Sequence, residues 1–327
     1  MYWLLLIYVP FYVSASFFEN GEYVYNYNNT VELLKMSHNA YLIPTDSKWY
    51  NTSLYNYYDI RLDNDSLQGY VFYNDYVNVI ALKGTTISWL LDDNDDKGIC
   101  KKQSEFEFEA LSSISNDKFN DNLIMACCFH QQSNLFKNIC EFNEKKFKCS
   151  NTCYQDSIHY NHTYFELGKT IIDSIKTNPL FQFDTRDTLF TGHSLGGTVS
   201  TLLGIYYDKT VVTFQSPGEL HYIRKSMLFD LDKIHFDKIF HIQHTSDPIP
   251  IGNCGRLCSY FGYHIHTKCH IGNTCIYDSK TKLNISESIF THRSEYIINT
   301  IAPYWEMDMP MCEKENDCTE CDIWEFI

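Results

Sequence analysis

The chain has 327 residues, 44% of them hydrophobic and 16% aromatic, with a net charge of −15 at neutral pH. That length supports a large core, and the apolar content excludes global disorder. The acidic balance and the absence of a basic patch exclude nucleic acid as a main partner.

Residues 1–18 carry no charged side chain. The apolar run from Tyr2 to Val13 is short for a spanning helix, which needs about 20 residues. Val13-Ser14-Ala15 has the small residues of a cleavage site. The segment is read as a signal peptide or a signal anchor, and both stay open because the basic residues that set orientation are missing. Two further features agree with export. Sequons stand at Asn28, Asn51, Asn64, Asn161 and Asn284, five expected glycosylation sites. The chain also holds 13 cysteines, read as up to six disulfides and one free thiol. Their pairing does not follow from spacing. Cys318-x-x-Cys321 lacks a second pair at zinc-site spacing, so no metal is expected.

Apolar spacing predicts a helix over 31–37, and 39–63 reads as irregular, tyrosine-rich surface. Two strands follow, 69–73 and 77–82, with Asn74-Asp75 as their turn. The second runs into Lys83-Gly84-Thr85-Thr86, where a backbone N–H at a strand end can face a site. Residues 88–155 read as a cysteine-rich insertion. It begins near Trp89-Leu90-Leu91, which is expected to form lid or interfacial surface, with core packing as the alternative. A helix over 106–114 and another over 166–176 precede the stretch 187–198. Strands are then expected at 211–214 and 239–243. Strands alternating with helices at this spacing indicate an α/β fold with an open, mostly parallel sheet. Residues 19–327 are read as a single domain.

The stretch 187–198 reads as apolar strand, sharp turn and helix start. Gly192-His193-Ser194-Leu195-Gly196 matches G-x-S-x-G, in which a serine at a strained strand-to-helix turn projects its Oγ above an α/β-hydrolase sheet. A serine nucleophile needs a base, and the base an orienting carboxylate, in the chain order Ser, Asp, His. Asp247 stands where strand 239–243 ends, before Pro248, and is chosen as the acid. Asp278 is its rival. His292 is chosen as the base, beyond the last core strand and before an apolar helix. Oxyanion donors are expected from the N–H groups of Leu195 and Thr85, the latter aided by its hydroxyl. This chemistry needs no cofactor.

Those residues resemble the class 3 lipase family, and within it the fungal vacuolar lipases that lyse autophagic bodies. The likeness extends over most of the chain: LKMSHNAY at 34–41, QGYVF at 68–72, ALKGTT at 81–86, NDKFNDNL at 116–123, TGHSLGG at 191–197, FQSPGE at 214–219, HIQHTSDPIPIG at 241–252 and CTECDIWEF at 318–326. The last segment is far more specific than the elbow. The resemblance implies an α/β-hydrolase fold, with Ser194, Asp247 and His292 as the triad. It implies hydrolysis of acyl esters in phospholipids or neutral lipids, and association with membrane lipids, phosphoinositides among them. It also implies a type II anchor, N-glycosylation, and transit through multivesicular bodies to the vacuole. The chain departs from its relatives in an apolar start without basic residues, which bears on anchor topology, and in ending soon after 318–326. Two other functions compete: a soluble serine esterase of another class, and a non-catalytic lipid-binding protein of autophagy.

Overall fold

The computed structural model describes residues 17–52, 54–61, 67–86, 106–129, 140, 142–143, 147–254, 258, 262–315 and 318–327. Asn64, Trp89 to Leu91, Cys100 and residues 1–16 lie outside the described residues. Among the described residues, no helix is long and apolar enough to cross a membrane.

After a short hairpin of β1 (Phe18–Glu19) and β2 (Glu22–Tyr23), helix α1 spans Tyr27–Asn39. Asn26 caps it, its side chain accepting from the Asn29 N–H, which satisfies one of the orphan first-turn donors. An eight-stranded sheet then builds up from β3 (Asn56–Asp59), β4 (Gly69–Tyr73), β5 (Val77–Leu82), β8 (Asp187–His193), β9 (Thr210–Phe214), β10 (Ile239–His244), β11 (Asn273–Tyr277) and β12 (Cys312–Lys314). Its order is β12-β11-β10-β9-β8-β5-β4-β3. The five strands from β11 to β5 run parallel, and β12, β4 and β3 pair antiparallel at the two edges. The expected α/β fold with a mostly parallel sheet is present.

The period of two along each strand sends alternate side chains to two cores. Ile80, Leu82, Phe190 and Val211 enter one, with Ile171 and Leu202 from helices α4 (Tyr164–Thr177) and α5 (Leu195–Tyr207). Val79, Ala81, Leu189 and Val212 enter the other, with Leu33 and Leu34 from α1 and with Ile297 and Trp305. Covering on both faces explains why the central strands read as nearly continuous apolar runs.

Strands β4 and β5 and their Asn74 turn lie as predicted, with the Asn74 N–H donating to the Val77 carbonyl at 3.1 Å. The helix read at 106–114 runs further, as α2 over Phe106–Met125. Three strands of this sheet were not expected. Strand β3 lies within the segment read as irregular, and all four of its residues are exposed, so no apolar alternation marks it. Strands β11 and β12 lie in cysteine-bearing stretches, where Cys275 and Cys312 form a disulfide across the pair.

Six disulfides are present among the described residues: 127–321, 128–149, 140–153, 254–258, 269–318 and 275–312. Three of them fasten the C-terminal segment, so the two halves of Cys318-x-x-Cys321 pair with different partners. Strand β13 (Glu325–Phe326) runs parallel to β7 (Lys148–Cys149), which pairs with β6 (Phe142–Asn143). The chain end is thereby joined to the region read as an insertion.

The elbow is tightly enclosed. A Cβ on Gly192 would lie 2.4 Å from the Gly196 carbonyl, and one on Gly196 would lie 2.3 Å from the Leu82 carbonyl oxygen. Gly196 belongs to α5 and Leu82 to β5, so neither backbone neighbour can move without displacing its element. Gly196→Ala is therefore expected to lower unfolding free energy by about 1–3 kcal/mol, as overpacking does, read from the midpoint of a urea denaturation curve.

Candidate active site

Ser194 stands between β8 and α5 with φ 59° and ψ −132°, a left-handed conformation that costs a non-glycine residue about 1–3 kcal/mol. The strand fixes it there. Its N–H donates to the Phe214 carbonyl of β9 at 3.0 Å, and its carbonyl accepts from the N–H groups of Gly197 and Thr198. Leu195 opens α5, and a first-turn N–H has no intrahelical acceptor.

Asp247 lies three residues beyond the end of β10 and is fully buried. One carboxylate oxygen accepts from the Ile249 N–H at 2.9 Å. The other faces His292 Nδ1 at 2.6 Å. The carboxylate can only accept there, so Nδ1 carries the proton and Nε2 is left with its lone pair. His292 ends a 3₁₀ turn, Ile289–His292. It lines a cavity of about 240 Å³ together with Ser194, Thr85, Tyr41, Lys83 and Arg293. The rival carboxylate, Asp278, is used elsewhere. It caps the short helix Ser279–Leu283, accepting from the Thr281 N–H and the Thr245 hydroxyl.

Thr85 follows the end of β5 and faces the same cavity. Its hydroxyl points to Asp121 Oδ2 at 2.8 Å, so the proton expected to help an oxyanion is directed into α2 instead. One turn earlier on that helix, Asp117 accepts from the Thr86 N–H at 2.7 Å and from the Tyr164 hydroxyl. Burial pushes both carboxyls above the usual carboxylate range. For Asp117, the Lys83 charge and the hydrogen bonds from Thr86 and Tyr164 work against burial. For Asp121, the Thr85 bond works against it and the Asp117 charge adds to it. These two acids hold the Thr85–Thr86 turn. Sequence reasoning passed over them, although the i, i+4 spacing of 117 and 121 places them on one helix face.

Two strand-terminal histidines and a tyrosine complete the surroundings. The Tyr41 hydroxyl lies 2.9 Å from His193 Nδ1, and His193 Nε2 lies 2.6 Å from the His292 carbonyl. His244 Nε2 lies 3.1 Å from the Thr291 carbonyl. No sequence signal distinguished these from other core residues.

A second buried cluster lies apart from this cavity. Glu219, His241 and His270 bring ligand-type atoms within 4.8 Å of one another. Those atoms already take part in hydrogen bonds: His270 Nδ1 to Glu219 at 3.0 Å, His241 Nε2 to the Ile271 carbonyl at 2.8 Å, and the Ile271 N–H to Glu219 at 2.8 Å. The four described sequon asparagines, Asn28, Asn51, Asn161 and Asn284, are all exposed.

A mostly parallel sheet with a serine at a strained strand-to-helix turn, and an Asp–His pair downstream of it, defines an α/β-hydrolase. The chain is a homologue of the fungal proteins named "Putative lipase ATG15". It is 31% identical to that of Vanderwaltozyma polyspora, over 96% of this chain and 55% of that protein. It is 31% identical to that of Saccharomyces cerevisiae S288c, over 91% and 56%. The chain thus spans about half the length of the curated relatives it matches. No family model matches it. Among solved structures, the Lip2 lipase of Yarrowia lipolytica aligns at 18% identity and TM-score 0.38, over 77% of this chain and 78% of that one. The Rhizomucor miehei lipase propeptide complex aligns at 14% and 0.35, over 88% and 82%.

Buried histidines set an acid-sensitive term in stability. Burial, then the Lys225 charge, lowers His221 from 6.5 to about 4. Between those values the unfolded chain binds a proton that the folded chain refuses. The stability His221 contributes is therefore complete above about 6.5 and is lost as pH falls toward 4. His221→Gln keeps a donor for the Cys127 carbonyl, which lies 3.1 Å from His221 Nε2. Urea titrations across this window are expected to show a shallower loss of stability in His221→Gln than in the parent.

Proposed function

We propose that the chain is a serine lipase that hydrolyses carboxylic esters of phospholipids or triacylglycerols. The observation that carries this reading is the buried His292–Asp247 hydrogen bond, with His292 sharing one cavity with the strained Ser194. The Ser194 Oγ attacks the acyl carbonyl carbon while His292 Nε2 takes its proton. Asp247 holds the ring and stabilises its cation. The N–H groups of Leu195 and Thr85 receive the oxyanion. The C–O bond then breaks, His292 protonates the leaving alcohol, and the acyl group stays on Ser194. Water, deprotonated by His292, releases the fatty acid and restores the serine.

Lys48, Lys83 and Arg293 line the cavity with one acid, Glu295, which pairs with Lys48 at 3.2 Å. The family resemblance of the sequence implies a cellular setting: lysis of autophagic bodies and of multivesicular-body vesicles in the vacuole. In that setting residues 1–18 act as signal peptide or anchor, and the exposed sequon asparagines are glycosylated.

Ser194→Ala and His292→Ala are expected to lower acyl release from phospholipid vesicles by about 10⁴-fold or more, as loss of a triad member does. Fluorophosphonate labelling is expected in the parent and absent in Ser194→Ala. Full vesicle hydrolysis by Ser194→Ala would refute the assignment. A strong preference for monomeric short-chain esters over vesicles would instead identify a soluble esterase.

A further inference from the structure

We infer that His193 and His244, the last residues of two central strands, are positioning residues that set the catalytic reach of His292 by holding the backbone of its turn. Strand β8 ends at His193 and strand β10 ends at His244. Both side chains are buried, at 4% and 1% exposure. Each points a ring nitrogen at a main-chain carbonyl of the His292 turn: His193 Nε2 at the His292 carbonyl, 2.6 Å, and His244 Nε2 at the Thr291 carbonyl, 3.1 Å. A carbonyl oxygen only accepts, so both nitrogens carry hydrogen. The opposite nitrogens face hydroxyls. His193 Nδ1 meets the Tyr41 hydroxyl at 2.9 Å, and His244 Nδ1 meets the Ser279 hydroxyl at 3.2 Å. A neutral ring with its hydrogen on Nε2 leaves Nδ1 able only to accept, and the Tyr41 hydroxyl, which also lies 3.3 Å from the His193 carbonyl, is the group that faces Nδ1 of His193.

Two consecutive carbonyls are thus held by donors rooted in the rigid middle of the sheet. The turn itself is short. Beyond these donors it is tied by the Ser288 N–H and the Thr291 hydroxyl, both donating to the Ser246 carbonyl at 3.0 and 2.8 Å. Asp247 restrains the ring of His292, whereas His193 and His244 restrain the backbone that carries the ring. Aligning a reacting group to within about 1 Å is worth on the order of 100-fold in rate. His193 has a second task. Its ring centroid lies 4.7 Å from that of His292, so a charge on it would oppose the imidazolium that His292 forms in turnover. Burial first, and then the His292 charge, hold the His193 pKa well below its ordinary value. Burial lowers His244 to about 4. Both rings therefore donate as neutral groups.

The inference rests on His292 being the base, and the experiment separates the two. Substitutions are assayed with the monomeric ester p-nitrophenyl butyrate and by the rate of fluorophosphonate labelling of Ser194. His193→Phe keeps a ring of similar size and removes both nitrogens. It is expected to lower kcat and labelling rate together by about 10- to 100-fold with KM changed by less than about twofold. His193→Gln places an amide N–H near the Nε2 position and is expected to recover most of that loss. His244→Phe and His244→Gln are expected to behave the same way. A merely structural histidine predicts equal losses for Phe and Gln, and that result would overturn the inference. So would a His193→Phe protein whose kcat and labelling rate stay within about twofold of the parent. If the Phe variants do not fold, Tyr41→Phe carries the test. It removes the hydroxyl that faces His193 Nδ1 and is expected to lower kcat by about 3- to 10-fold, with an unchanged kcat overturning the inference. Loss of all activity in Ser194→Ala beside an unaffected His193→Phe would leave the triad standing and remove the positioning role alone.

Discussion

A single strained residue organises the molecule. Ser194 holds a positive φ at the end of β8, and such a conformation persists where its surroundings over-determine it. Here they do so from three sides. The Phe214 carbonyl of β9 fixes the Ser194 N–H, α5 begins on its carbonyl, and glycines on both sides allow backbone to approach backbone. The candidate nucleophile is therefore placed by the parallel sheet, whose pairing is buried on both faces and resists slippage. Once β8 is placed, its neighbours deliver the rest at their own carboxyl ends. Strand β5 brings Thr85 and β10 brings Asp247, as open α/β sheets do for their sites generally.

Much polar chemistry is buried in the molecule, and three of its acids show how it is held. The acids Asp117 and Asp121 receive the Thr86 N–H and the Thr85 hydroxyl. Glu219 receives His270 and the Ile271 N–H. Unpaired, any of these would cost several kcal/mol. Paired, they bind loops that carry little apolar surface to the nearest rigid element. Disulfides serve the same end at the chain terminus, where 269–318, 275–312 and 127–321 hold a segment with few buried side chains. The site thus lies inside a shell whose loops are held by hydrogen bonds and sulfur bridges more than by hydrophobic packing.

Local rules read much of this from the chain alone. The apolar runs of β5, β8 and β9, the turn at Asn74, the helix over 166–176 and the Gly192–Gly196 elbow each follow from residues within a few positions of one another. The order Ser, Asp, His then put Asp247 and His292 forward beside Ser194, with Asp278 kept as a rival acid that the structure places at a helix cap. Strand β3 escaped that reading because its residues are all exposed. Strands β11 and β12 escaped it because a disulfide, rather than a run of apolar residues, marks their pairing.

What the sequence by itself determined is therefore the elbow serine, its turn and the class of fold, since these depend on short-range sterics and on periodicity. What only the tertiary structure decided is which distant groups meet that turn. Asp121 reaches Thr85 across 36 positions, His193 reaches the His292 carbonyl across 99, and Tyr41 reaches His193 across 152. Such contacts leave no local signature. They exist because the packed sheet brings its strand ends to one rim, and a buried hydrogen-bonding group takes whichever partner that rim supplies.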